Sequence, residues 1–168
     1  MGNLSILVDC GMFQGGPEAD ELNMADFGFE PADVDYLLLT HGHLDHCGRI
    51  PRLVAKGFRG RIVCTSATHD IAKIVLMDSA RIQEEDFEQW MKINLRRGLP
   101  VPEPLYTTMD VLDALGRFDT FVEYGRPLDL SDQVRVTFKD AGHILGASFI
   151  ELEHRGNMKI VFSGDLGN

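Results

Sequence analysis

Long apolar runs, paired cysteines and an excess of basic charge are all missing from this 168-residue sequence. No segment approaches the ~18 consecutive apolar residues that a membrane-spanning helix needs, and the N-terminus carries no signal-peptide pattern. No membrane partner and a cytoplasmic location are therefore expected. The three cysteines, Cys10, Cys47 and Cys64, form no CxxC pair and leave an odd one over. That argues against a disulfide framework and for three small buried residues. A net charge of −10 argues against a generic nucleic-acid-binding surface. Low-complexity tracts and internal repeats are absent as well. What is present, 44% hydrophobic and 25% charged residues in a length suited to one domain, is enough for a globular core.

Apolar patterning gives an α/β chain. Leu4–Val8 and the run "VDYLLLT" read as buried strands, the second covered on both faces. The segment "MFQGGPEADELN" reads as a turn-rich loop with one helical turn after Pro17. In "GRIPRLVAKG", Ile50, Leu53 and Val54 share a helical face, with Pro51 in the first turn and Gly57 as the stop. "GRIVCTS" is a third strand. From Ala67 to about Arg97 the pattern is helical, with Ile71, Ile74, Val75, Ile82, Phe87, Trp90 and Ile93 as the expected buried stripe. "GLPVPEP" ends it, since proline neither continues a helix nor lets its predecessor do so. "TMDVLDAL" is a short helix with Thr107 or Thr108 as cap. Strands "QVRVTFKD", "SFIELEH" and "KIVFSGD" follow, the first two with one wet face each.

Histidine is scarce, yet half of the six histidines fall in "HGHLDH", residues 41–46. Four expected strands end in similar chemistry: Asp9 after the first, His41, His43, Asp45 and His46 after the second, then His143 and Asp165 after two of the last three. Functional groups gather at strand ends, where loops vary on a rigid frame. In an extended stretch residues two apart point the same way, so His41 and His43 can grip one ion. Asp45 and His46 come as the chain turns into a helix and can take a second. Clustered carboxylates without a cation resist joint ionisation. A zinc site can return on the order of 10 kcal/mol on binding. Imidazole plus carboxylate suits Zn²⁺, with Mn²⁺ or Fe as alternatives. His69 and His154 read as structural or surface residues. A basic strip, Arg49, Arg52, Lys56, Arg59 and Arg61, runs from Gly48 to Ile62 without an acid. Its plainer reading is a solvated helix face, and its sharper one a phosphate-facing strip beside the histidine turn.

"THGHLDHCG" resembles motif 2 of the metallo-β-lactamase superfamily, and "DCGMFQGG", "AGHILGAS" and "FSGDLGN" resemble its β-CASP branch of RNA-processing nucleases, in order and over essentially the whole chain. The resemblance implies an αββα sandwich with two Zn²⁺ ions at one sheet edge. His41, His43 and His143 would hold one ion, Asp45 and His46 the other, with Asp165 bridging. Asp9 would support the ligands from behind, so the expected catalytic carboxylates are Asp9, Asp45 and Asp165. The family continues past "GDLGN" with a β-CASP segment that brings a further histidine ligand. Residues 1–168 are therefore expected to be the N-terminal portion of the domain, a partial sandwich with impaired activity alone.

The implied activity is hydrolysis of phosphodiester bonds in single-stranded RNA by a hydroxide shared between the two metals. A thioester or lactone hydrolase on the same site, and a non-catalytic RNA-processing scaffold, are the competing readings. Intact ligand motifs disfavour the scaffold. Unpaired sheet edges leave self-association to a homodimer open.

Overall fold

The computed structural model describes residues 4–16, 18–101, 103–154 and 158–167. Two four-stranded sheets form its frame. The first is parallel, in the order β1 (Ile6–Val8), β2 (Tyr36–Leu38), β3 (Arg61–Thr65) and β4 (Phe118–Val122). The second is antiparallel, in the order β5 (Pro127–Asp129), β6 (Val134–Asp140), β7 (Ser148–His154) and β8 (Met158–Phe162). The helices are α1 (Ala19–Met24), α2 (Leu44–Cys47), α3 (Ile50–Ala55), α4 (Ser66–Arg97) and α5 (Thr108–Leu115).

The run Leu37-Leu38-Leu39 shows why β2 is apolar throughout. Side chains alternate between the faces of a strand. Leu37 and Leu39 join a core with Leu53, Val54, Leu76 and Val111 of the helices, whereas Leu38 joins Val63, Val136, Phe138 and Ile150 between the two sheets. The described residues thus form three layers: helices, parallel sheet, antiparallel sheet. Burial of each such leucine or valine is worth ~1.5–3 kcal/mol. The outer face of the second sheet is polar, as the alternation of β6 and β7 requires. Lys139 and Lys159 both reach Glu151 there, at 3.0 and 3.4 Å.

Three elements differ from the sequence reading. β4 and β5 were not anticipated. β4 alternates Phe118, Thr120 and Val122, buried or half-buried, with the exposed Asp119 and Phe121, and β5 is a three-residue edge strand that begins at a proline. The buried stripe of α4 is Thr68, Ala72, Leu76 and Ala80, not the series of large apolar residues. Ile74 is 66% exposed, and Ile82, Trp90 and Ile93 are all exposed too. The small residues Ala72 and Ala80 let the helix lie close to the sheet, so the packed face is rotated away from the bulky side chains. Pro17 lies outside the described residues, and the turn expected after it is α1, six residues long.

Candidate metal centre

Every strand that leads to the site ends at the same edge. In the parallel sheet β1 and β2 run side by side, Val8 opposite Leu38, so Asp9 and the His41–His46 turn leave the sheet together. Asp9 has φ +57°, a left-handed conformation that aspartate tolerates better than most residues. The turn bends its carboxylate back over β2, where it accepts from the Thr40 amide and hydroxyl and pairs with His46 Nδ1, each at 2.8 Å. Beyond it the backbone of residues 10–12 bonds to the carbonyls of His46 and Leu44. A Cβ on Gly11 would collide with the Asp45 carbonyl, so only glycine fits that crossing. The second sheet delivers the remaining groups. His143 sits in the loop between β6 and β7, and Asp165 follows β8. Gly164, at φ +52°, lies so close to the Thr40 side chain that a Cβ there would be tight against it.

The hydrogen bonds set the protonation of two imidazoles. Thr40 gives its hydroxyl proton to Asp9, so its oxygen accepts from His41 Nδ1–H at 3.1 Å. The Nε2 of His41 is left with its lone pair, facing the site. His46 likewise donates Nδ1–H to Asp9 and turns Nε2 toward Asp45 and Asp165. Burial, with the neighbouring His46 and His43, lowers the His41 pKa to about 4 and keeps that ring neutral near pH 7. The Asp9 hydrogen bond raises that of His46. A neutral imidazole whose second nitrogen is held by a hydrogen bond is the form that binds metal.

Four donor atoms, from His41, His43, His143 and Asp165, lie within 4.8 Å of one another. His41 Nε2 is 3.1 Å from His43 Nδ1, and His143 Nε2 is 3.3 Å from the same atom. Asp165 Oδ2 is 3.7 Å from His41 Nε2 and 3.5 Å from His143 Nε2. A tetrahedral ion at ordinary metal–nitrogen distances would have ligand–ligand edges of about 3.3–3.4 Å. These four separations, 3.1–3.7 Å, lie close to such edges, so the group could hold a single divalent cation. The other oxygen of Asp165, Oδ1, is 3.3 Å from His46 Nε2, which is 3.9 Å from Asp45 Oδ2. One carboxylate thus faces both donor groups, one oxygen to each.

All seven residues singled out in the sequence meet here: Asp9, His41, His43, Asp45, His46, His143 and Asp165. Thr40, the hinge between Asp9 and His41, was missed. A threonine at a strand end carries no signal until its neighbours in space are known. The phosphate-facing reading of the basic strip is not supported. Arg49 is buried, stacked 4.3 Å from the Phe27 ring and donating to the Ala25 carbonyl. Arg52 donates to the Met24 carbonyl, Lys56 meets Asp26 at 3.4 Å, and Arg59 donates to Val54 and Phe58. Arg61 opens β3, at the opposite end of the sheet from the histidine turn, and pairs with Asp119. These cations tie the 24–27 segment and the sheet base together. The three cysteines are buried, as expected. His69 packs edge-on to Phe118 and Phe121, a structural placement.

Residues 2–168 match the sequence model of the metallo-beta-lactamase superfamily. Among curated relatives, the chain is 40% identical to Ribonuclease TTHA0252 of Thermus thermophilus, over 99% of this chain and 33% of that protein. It is 32% identical to Cleavage and polyadenylation specificity factor 73 of Drosophila melanogaster, over 96% of this chain and 21% of that protein. The chain thus spans a third or less of the length of these relatives. Its fold is also that of a solved metallo-β-lactamase with a HARLDQ motif from Cronobacter sakazakii, with a TM-score of 0.56, 24% identity, and coverage of 99% of this chain and 54% of that one.

Proposed function

Because the chain belongs to the metallo-β-lactamase superfamily, we propose that it is the metal-binding portion of a nuclease of the β-CASP branch that hydrolyses phosphodiester bonds in single-stranded RNA with two zinc ions. The observation that carries the reading is the position of Asp165, whose two oxygens face two separate donor groups. The names of the relatives, a ribonuclease and a cleavage factor, support the choice of RNA as substrate.

In this reading His41, His43 and His143 would hold one ion and Asp45 and His46 the other, with Asp165 available to both. The pair of ions supplies electrophilic stabilisation of the phosphate and an activated water for in-line attack. The protein's own groups do the rest. Asp9 and Thr40 fix the tautomers of His41 and His46, so that both present lone pairs inward. The buried His41 excludes water from the floor of the site. Asp165, with 41% of its side chain exposed, marks the open side from which a phosphate enters.

The test is cleavage of end-labelled single-stranded RNA by zinc-loaded protein, with Asp165→Ala beside it. Loss of one bridging carboxylate is expected to lower cleavage by at least about a hundredfold, the scale on which removing one group that stabilises the transition state acts. An Asp165→Ala variant that cleaves at the wild-type rate would refute the reading. Turnover of thioesters or lactones with no cleavage of RNA would instead select the small-molecule hydrolase.

A further inference from the structure

Beside the His143 loop lies a cavity of about 470 Å³, walled by the start of α4, the end of β4 and the loop itself. We propose that it is the subsite for the nucleobase next to the scissile phosphate; this rests on the RNA-cleavage reading above.

Two apolar surfaces in its wall are rigidly held and yet bare. Tyr124 donates its hydroxyl to the Ala147 carbonyl at 2.9 Å, which fixes the ring, but the residue remains 42% exposed. Leu145 is 73% exposed, only two positions after His143. Its loop is pinned: the Gly146 carbonyl accepts from the hydroxyls of Thr65 and Thr68 at 2.9 and 2.8 Å, and the Ala147 amide bonds to the Ile144 carbonyl. A large leucine held out to solvent by so anchored a loop does no packing work within the described residues. A flat base between Leu145 and the Tyr124 ring would cover both.

Charge decides which part of a nucleotide enters. The carboxylates of Glu123 and Asp140 stand in the same wall; Glu123 pairs with Arg126 through one oxygen at 3.0 Å, and Asp140 accepts from the Gly142 amide through one oxygen, which leaves the second oxygen of each for a ligand. They disfavour a phosphate, whose place in this reading is the donor cluster that includes His143. They accept from exocyclic amino groups, as aspartate and glutamate do from cytosine N4. A base with an amino group is therefore preferred over uracil.

A cycle between substrate and protein tests this. Oligonucleotides are made with one preferred cleavage position and an abasic ribose on either its 5′ or its 3′ side. Stacking is worth ~1–3 kcal/mol per base, so metal-loaded wild-type protein should cleave one abasic substrate about tenfold less efficiently than the matched cytosine substrate. In Leu145→Ala, an exposed change with little bearing on folding, that penalty should shrink to about threefold or less. Glu123→Gln should narrow the preference for cytosine over uracil at the same position. An abasic penalty equal in wild type and Leu145→Ala overturns the subsite but leaves the nuclease reading standing. Failure of the intact, metal-loaded protein to cleave any oligonucleotide overturns both.

Discussion

Asp9 shows how much a single residue can carry without touching a metal. Its carboxylate serves Thr40 twice and His46 once, and through Thr40 it sets the tautomer of His41. Each donor nitrogen it orients belongs to a different proposed ion. Outer partners of this kind, when mutated, typically lower metal affinity 10–100-fold. Asp9→Asn is the informative change, because it keeps the size and removes the charge and one pair of acceptor lone pairs. A drop in zinc affinity of about 10–100-fold is expected, read by competition with a chromophoric chelator, while far-ultraviolet circular dichroism stays unchanged. An affinity equal to wild type would mean that Thr40 and the strand ends alone fix the rings. The ligand residues were legible in the sequence because histidine is rare and the spacing in "HGHLDH" is tight. Thr40 was not, since its role depends on a carboxylate 31 positions away.

At the scale of elements, legibility followed the strength of the local pattern. β2, β3, α3 and α5 each combine an apolar period with a clear boundary. For α5 that boundary is a capping box, with Thr107 accepting from the Asp110 amide and Asp110 accepting from the Thr107 amide. β4 was hidden because its residues alternate weakly and its pairing partner β3 lies far back in sequence, beyond α4 and α5; β5 was hidden because it is only three residues long and begins at a proline, although its partner β6 follows directly. α4 is the sharper case. Its length was readable, but its buried face was not, since seven large apolar residues outweighed Ala72 and Ala80 in a reading by hydrophobicity alone. The structure makes a discriminating prediction. Leu76 is fully buried and Ile82 is 51% exposed. Leu76→Ala should lower stability by about 2–5 kcal/mol, the usual range for emptying such a site. Ile82→Ala should change it by no more than about 0.5 kcal/mol. Urea denaturation of both variants checks this, and comparable losses would restore the large-residue stripe.

Considered whole, the molecule buries several groups that cannot ionise in place. Burial pushes the Cys10 and Cys64 thiols from 9.0 up to about 12, raises Cys47 further, and takes Tyr106 from 10.0 to about 12. In the unfolded chain these groups lose protons at their ordinary values, while the native state holds them. The unfolded state therefore binds fewer protons as pH rises, and stability must fall. The full contribution is present below about pH 9 and is lost progressively between 9 and 12. Denaturation midpoints measured at pH 8 and pH 10.5 should show that loss, and native thiols should resist iodoacetamide until the chain unfolds. Equal midpoints would mean that the interior relaxes to admit the charge.

The same whole-molecule view applies to metal. The proposed ligands come from both sheets: His41, His43, Asp45 and His46 follow β2 of the parallel sheet, whereas His143 and Asp165 follow β6 and β8 of the antiparallel one. A cation bound by both groups fastens the edge at which the sheets meet, and it has no equivalent site in the unfolded chain. Binding only to the native state stabilises it by about 2.7 kcal/mol when the free ion is at a hundred times its dissociation constant. Dialysis against a chelator should therefore lower the thermal midpoint, and zinc should restore it in proportion to the logarithm of its concentration. The two sites should differ. Four donors converge on the first, whereas the second has Asp45, His46 and the shared Asp165. Elemental analysis after desalting should then find close to one tightly held zinc per chain, with a second equivalent bound only when free zinc is supplied. Two equivalents surviving desalting would show that three protein donors are enough for the second site. A midpoint indifferent to chelator would show that the two sheets hold their shared edge without a cation.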